Sequence, residues 1–326
     1  ATSALHISCL ALGLSEGDVL WTSPNSYVAS ANVGLLCNAE VDFVDIDSET
    51  YNMCSSALSM KLRDAEKNGK LPKIVMPVHF AGQSCDMINI KKLSEKYGFK
   101  IIEDASHAIG GVYKNTKIGS CKFSDITVFS FHPVKIITTA EGGCATTNDE
   151  NIFEKLKLLS SHGVTRNPKN MVKKTLDKWV YDQISIGFNY RMSDLNAALG
   201  LSQLLRIDSF INKRNKIAKK YFQQLKNLDL KLPKQEDYNS SALHLFPIQV
   251  NNRKKIYNLL HRNDIKVNVH YRPIHTQPFW QNRGFKFGLF PTSELYYSKA
   301  ISLPIFYDLD DEMQDCVINV LQKSCL

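Results

Sequence analysis

The chain has 326 residues, 44% hydrophobic and 22% charged, enough apolar material for one or two domains around a large core and too much for a disordered chain. Its formal net charge of +8 is spread over separate basic pairs (Lys173-Lys174, Lys213-Arg214, Arg253-Lys254-Lys255), which read as solvated helix faces rather than as a surface for nucleic acid. No apolar run reaches the ~18 residues of a membrane span, the opening segment lacks the layout of a signal peptide, and the eight cysteines form no C-x-x-C pair; the expectation is a cytoplasmic protein with free thiols, no metal site and no membrane contact.

In chain order, residues 1–5 open a helix with small and hydroxylated side chains. Short apolar runs at 19–22, 41–44, 73–78 and 100–102 predict buried strands, and helical patterns around 26–36, 55–68 and 87–97 fall between them. That alternation predicts an α/β unit with a mainly parallel sheet. Residues 126–131 and 143–147 add two strand candidates. A long helical stretch follows from 193 to 228, with Ser193 as its cap and a break near 207–209. Beyond Pro233 the texture changes, and 243–250, 254–262, 266–270 and 310–322 predict a smaller α+β unit. The division is placed at 1–205 and 206–326.

Three local features bear on chemistry. Glu103 and Asp104 end an apolar strand, and ligands of open α/β sheets bind beyond the carboxyl ends of strands; alone, Asp104 reads first as a helix cap or a solvated strand end. Lys135 lies in an apolar stretch with no acidic residue within five positions. Burial lowers a lysine's pKa and suits it to Schiff-base chemistry, although a single such lysine reads first as a snorkelling side chain. Ala1-Thr2-Ser3 at a helix start offers N–H groups and hydroxyls to a phosphate. Together, a phosphate cradle, a carboxylate and a lysine are what pyridoxal 5′-phosphate requires. His79, in the run PVHFAG, is set aside as packing.

The stretches ATSALH (1–6), SPNSYVASAN (23–32), EDASHA (103–108), FSFHPVK (129–135), EGG (141–143) and FNYRMSDLNAALGLSQL (188–204) resemble the DegT/DnrJ/EryC1/StrS sugar aminotransferases over essentially the whole chain. The resemblance implies a type I pyridoxal-phosphate-dependent aminotransferase fold, with a large mainly parallel-sheet domain and a smaller C-terminal one. It implies Lys135 as the Schiff-base lysine, Asp104 as partner of the ring nitrogen, His107 near the ring hydroxyl and Tyr27 against the ring face. Ala1, Thr2 and Ser130 take the phosphate. Asn189 reaches it from the partner subunit of a homodimer, with Arg191 nearby. His270, Tyr271, Arg272 and Pro273 line the side that receives the sugar nucleotide.

The runs SHGVTRNP (161–168), VHYRPIHTQPFW (269–280) and AISLPIF (300–306) resemble the branch of the family on the route to pseudaminic acid. That implies glutamate as amino donor and C4 of a UDP-linked 4-keto-6-deoxy-N-acetyl sugar as acceptor. Amination at C3, a dTDP-linked acceptor, and a non-catalytic regulator that binds cofactor or sugar nucleotide stay open as alternatives. Dehydratases on the same fold carry histidine at the lysine position, so Lys135 argues against that activity. Family members carry a further segment ahead of the phosphate motif, and the resemblance implies that it is missing before Ala1.

Overall fold

The computed structural model describes residues 1–172, 177 and 179–324. Lys173-Lys174, read from sequence as a solvated pair, and Cys325, read as a free thiol, lie outside the described residues.

Six strands make the main sheet: β1 (Val19–Thr22), β2 (Glu40–Phe43), β3 (Ile74–Met76), β4 (Lys100–Asp104), β5 (Ile126–Ser130) and β6 (Gly143–Thr146), in the order β2-β1-β3-β4-β5-β6. The first five are parallel, and β6 runs antiparallel to β5. Parallel neighbours need long crossovers, which here are mostly helical and cover both faces. Consecutive strand residues point to opposite faces. Leu20, Ile74 and Ile102 therefore pack with α1 (Thr2–Ala11), α2 (Ala29–Leu36) and α5 (Glu150–Ser160), while Trp21, Val75 and Ile101 pack with α3 (Ser55–Lys67) and α4 (Met87–Tyr97).

A second, antiparallel sheet has the order β7 (Leu230–Lys231), β8 (Phe246–Val250), β9 (Ala300–Leu303). Apolar residues of α7 (Ile207–Leu225), α8 (Arg253–Arg262) and α11 (Asp311–Gln322) close a separate core over it. The long helical stretch breaks at 205–206, between α6 (Asp194–Leu204) and α7, slightly earlier than the pattern suggested. No helix among the described residues is long and apolar enough to cross a membrane.

Three sequence expectations need correction. Residues 266–270, expected among the elements of the smaller unit, form no regular element: only Asn268 bridges Ser302, and the chain then turns away towards the main sheet. The helix expected from 26 starts only at Ala29, because residues 23–28 form a turn. Arg214, read as part of a solvated pair, is 6% exposed; its Nη1 donates to the carbonyls of Leu243 (3.2 Å), His244 (3.2 Å) and Ile305 (2.8 Å). Backbone carbonyls left without partners by two loops thus replace water around the guanidinium.

After Asn268 the chain runs through two short helices before β9: α9 (Pro278–Gln281), which packs on the main sheet, and α10 (Pro291–Lys299), whose Tyr296 packs with Ile46, Tyr51, Phe80 and Leu245. Trp280 of α9 is 2% exposed and packs edge-on to Phe43 of β2, ring centroids 5.3 Å apart. Truncating a buried tryptophan leaves a cavity that its neighbours fill only in part. Trp280→Ala is expected to lower the unfolding free energy by about 3–5 kcal/mol, read from denaturant titration; a loss below about 1 kcal/mol contradicts this packing account.

Candidate active site

A cavity of about 340 Å³ opens beyond the carboxyl ends of β4 and β5. Alternation along β4 sends its two terminal carboxylates to opposite faces. Glu103 turns away from the cavity and bonds His79 (2.6 Å), Thr127 and Ser124 in the interior. His79 is fully buried there and does not reach the cavity. Asp104 lines the cavity. Its Oδ2 accepts from Ser30 Oγ of α2 (2.7 Å), and its Oδ1 accepts from the Ser106 amide (3.1 Å) and hydroxyl (2.6 Å). Three donors fix the carboxylate's direction.

Lys135 enters from the loop that joins β5 to β6. The base of that loop is tied by Phe131 N–H to the Gly142 carbonyl (3.0 Å) and by Thr139 N–H to the Phe131 carbonyl (2.9 Å); Lys135 N–H itself closes a turn on the His132 carbonyl (2.9 Å). The amine lines the same cavity as Asp104. Burial lowers its pKa from the ordinary 10.5 to about 8, against the opposing pull of Asp104.

The start of α1 forms another wall through Ala1 and Thr2. The helix has no side-chain cap, and its first intrahelical bond runs from Leu5 N–H to the Ala1 carbonyl (2.9 Å). The Ala1 amine donates to the Gly142 carbonyl (3.0 Å), and among the described residues the Thr2, Ser3 and Ala4 N–H groups have no partner, which suits them to an anion. The Ser130 side chain, at the end of β5, completes this corner. Gly143 lets the helix start sit there: a Cβ at that position would lie 2.8 Å from Ala1 Cα and 2.7 Å from the Phe129 carbonyl oxygen. Gly143→Ala is therefore expected to displace Ala1 and weaken phosphate-dependent cofactor retention. Equilibrium dialysis with pyridoxal phosphate reads this, and unaltered retention contradicts the close fit.

His107 and Tyr271 close the inner wall, with His107 Nε2 3.1 Å from the Tyr271 hydroxyl, while Tyr27 stands at the mouth with 63% of its surface exposed. Of the sequence candidates, Ala1, Thr2, Tyr27, Asp104, His107, Ser130, Lys135 and Tyr271 share this one cavity. His270 does not line it; its Nδ1 pairs with Ser302 Oγ at 2.9 Å. Arg272 folds back on its own turn, donating to the Thr276 carbonyl (2.6 Å), and Pro273 begins that turn. Asn189 and Arg191 also lie apart from the cavity of their own chain; Asn189 bridges Ser161, and Arg191 donates to Ser161 Oγ (3.0 Å).

The sequence reading missed Ser30, Val78, His132 and Glu141 as wall residues. Glu141 lay inside the quoted EGG motif, and its position after the lysine loop was a usable signal. Ser30 lay inside the quoted SPNSYVASAN run, but its bond to Asp104, 74 positions away, was not legible from local pattern.

The family profile of the DegT/DnrJ/EryC1/StrS aminotransferases matches residues 1–322. The chain belongs to this family. A UDP-4-amino-4,6-dideoxy-N-acetyl-β-L-altrosamine transaminase of Campylobacter jejuni is 36% identical over 99% of the chain and 84% of its own length. The spore coat polysaccharide biosynthesis protein SpsC of Bacillus subtilis is also 36% identical, over 98% of the chain and 82% of its length. Among solved structures, the Helicobacter pylori aminotransferase PseC, involved in the biosynthesis of pseudaminic acid, superposes with a TM-score of 0.88 at 31% identity, covering 99% of this chain and 84% of that one. A putative sugar aminotransferase of Streptococcus pneumoniae in its PLP-form gives 0.87 at 29%, covering 99% and 85%.

As a member of the DegT/DnrJ/EryC1/StrS family, the chain is a pyridoxal-phosphate-dependent sugar aminotransferase with the type I fold. The cavity's donor set fits that cofactor: an amine of lowered pKa, a carboxylate directed by three donors, and an uncapped helix start flanked by hydroxyls.

Proposed function

We propose that this aminotransferase moves an amino group from glutamate to C4 of a UDP-linked 4-keto-6-deoxy-N-acetyl sugar, on the route to pseudaminic acid, and works in the cytoplasm as a homodimer. The observation that carries the reading is the meeting of Lys135 and Asp104 in one cavity. The finer assignment of substrate draws support from the 36% identity to the Campylobacter jejuni transaminase.

Bound pyridoxal phosphate supplies an electron sink that stabilises negative charge at the carbon losing its proton. Lys135 takes that proton from the donor's α-carbon as general base and redelivers it as general acid. A pKa near 8 leaves part of the amine unprotonated at neutral pH, as a base requires. Asp104 keeps a proton on the cofactor's ring nitrogen. Thr2, Ser130 and the first N–H groups of α1 hold the phosphate, and Tyr27 offers an aromatic face at the open side. The segment 270–273, contributed from beyond residue 206, borders the cavity through Tyr271, so His270, Arg272 and Pro273 are assigned to the sugar-nucleotide side. In this reading residues 1–205 form the cofactor-binding unit and 206–326 the smaller one.

Asn189 and Arg191 are assigned to the partner subunit's site. The surface beside them supports pairing: no residue of α6 is buried, and Leu201, Leu204 and Leu205, neighbours at i, i+3 and i+4, are 65%, 46% and 89% exposed. Contiguous apolar exposure of this kind marks an interaction surface. The test is stepwise. Glutamate added to the cofactor-loaded protein converts its visible spectrum to that of the aminated cofactor, and keto-sugar nucleotides differing in C3 or C4 position and in UDP or dTDP then report which acceptor restores it. Turnover of another acceptor without turnover of the UDP-linked 4-keto sugar overturns the narrower assignment.

A further inference from the structure

Each oxygen of a carboxylate has about two places to accept a hydrogen bond, so Asp104 has roughly four. Its Oδ1 fills both of its places, with the Ser106 amide (3.1 Å) and hydroxyl (2.6 Å). Its Oδ2 fills one, with the Ser30 hydroxyl (2.7 Å). Among the described residues no further donor reaches the carboxylate, so one accepting place is left, and it is on Oδ2. Ser30 Oγ also lies 2.8 Å from Ser26 Oγ and 3.4 Å from the Tyr27 carbonyl. Asp104 is the nearest of the three and the charged one, so the single Ser30 proton goes to it. Ser26 is then the donor to Ser30, and the hydroxyls form a chain that runs from Ser26 through Ser30 to Asp104.

We propose that the remaining place on Oδ2 receives the N–H of the cofactor ring, and that Ser30, with Ser26 behind it, is a positioning residue that aims it. The proposal rests on the reading of Asp104 as partner of the ring nitrogen. With Oδ1 full, the carboxylate offers the ring one oxygen. Ser30 occupies half of that oxygen, and so decides which direction stays open.

The surroundings keep both serines in these roles. They border the cavity but are buried, so little water competes for their hydroxyls. Four positions apart, they come together where the 23–28 turn enters α2, while Tyr27 between them stands at the mouth. The turn itself is pinned. The Ser23 hydroxyl accepts from the Asn25 amide (3.2 Å), the Asn25 side chain donates to the Tyr51 carbonyl (3.3 Å), and the Pro24 carbonyl accepts from Ile274 N–H (2.9 Å). The two clamps on Asp104 differ in kind. Ser106 closes a local turn two residues on, whereas Ser30 reaches Asp104 from a separate element.

The test uses the full chain stripped of cofactor and retitrated with pyridoxal phosphate by absorbance, with the glutamate half-reaction followed in parallel. Ser30→Ala is expected to raise the dissociation constant and to slow the half-reaction, each about 10-fold, the usual effect of losing one hydrogen bond to a charged group, with KM for glutamate unchanged. Ser106→Ala removes a hydroxyl from the same carboxylate, but the Ser106 amide still holds Oδ1, and the loss should be about 3-fold. In an Asp104→Asn chain no carboxylate is left to aim, so adding Ser30→Ala should change neither quantity by more than about 2-fold. A packing defect would persist in that background. Unchanged cofactor affinity in Ser30→Ala, a Ser106→Ala at least as impaired as Ser30→Ala, or a full Ser30→Ala loss in the Asp104→Asn chain each overturn the proposal. If Asp104→Asn takes up no cofactor, the comparison of Ser30→Ala with Ser106→Ala decides. An unimpaired Asp104→Asn overturns the ring-nitrogen reading itself; an impaired Asp104→Asn beside an unimpaired Ser30→Ala overturns the serine assignment alone.

Discussion

Lys135→Ala is expected to abolish amino transfer and, with it, the visible absorption that marks cofactor joined to the protein. Losing a positioned general acid–base group costs about 100- to 10,000-fold in rate, and in the proposed reading the same side chain also provides the covalent attachment. Stopped-flow absorbance with glutamate measures it; retention of either the absorption or the half-reaction sinks the lysine assignment. The same substitution has a second, opposite effect. In the unfolded chain the amine has its ordinary pKa of 10.5, and in the cofactor-free fold it falls to about 8. The unfolded state thus binds the proton more tightly, so the buried charge destabilises the cofactor-free fold below pH 8. The cost fades as pH rises from 8 to 10.5, and its full value is about 3–3.5 kcal/mol at most. Lys135→Met should therefore melt higher than the cofactor-free wild type at pH 7, with the gap closing by about pH 10.5. A gap that is absent at pH 7, or that widens with pH, contradicts the burial account.

Asp104→Asn is the second large effect. The amide keeps the size of the carboxylate and an oxygen that can still accept from Ser30 or Ser106, so the fold is expected to persist. It carries no charge, and cannot hold a proton on the cofactor's ring nitrogen. Removing a preorganised electrostatic contact of this kind costs about 100- to 1,000-fold in the rate constant. The loss should appear in the glutamate and keto-sugar half-reactions alike, because both use the same electron sink. An effect confined to one half-reaction, or mainly on KM, assigns Asp104 to substrate binding instead.

The large sheet was legible because its strands are apolar on both faces. Ile74–Met76 and Ile126–Ser130 are buried throughout, and continuous runs of that kind stand out in the sequence. The 266–270 segment misled for the complementary reason. Its alternation fits a strand, but pairing depends on a neighbour, and only Asn268 found one. Lys135 and Asp104 were locally ambiguous; their order along the chain with the small, hydroxylated start of α1 linked them, and the structure brings all three to one cavity. His244 shows the limit. It belongs to no motif, and its ring meets that of His107, centroids 4.5 Å apart, only because residues 242–245 settle on the Phe80–Gly82 turn, a contact across 160 positions of sequence that no periodicity encodes. Arg214 failed differently: charge predicted exposure, whereas three carbonyls from distant loops made burial tolerable.

The reversal of direction between β5 and β6 has a consequence for how enzymes built this way can diversify. Residues 131–142 form a closed ring whose two ends are stitched together at Phe131, so an insertion inside it would swing Lys135 away from Asp104 instead of being absorbed at its margins. The 270–276 segment is held at several points instead: Ile274 N–H donates to the Pro24 carbonyl (2.9 Å), the Tyr296 hydroxyl donates to the His270 carbonyl (2.8 Å), His275 Nε2 pairs with Glu294 (2.8 Å), and Ile274, His275 and Thr276 are buried. Tolerance to length changes should therefore be low in both segments, so that variation in chain length is expected outside the walls of the cavity that holds Lys135 and Asp104.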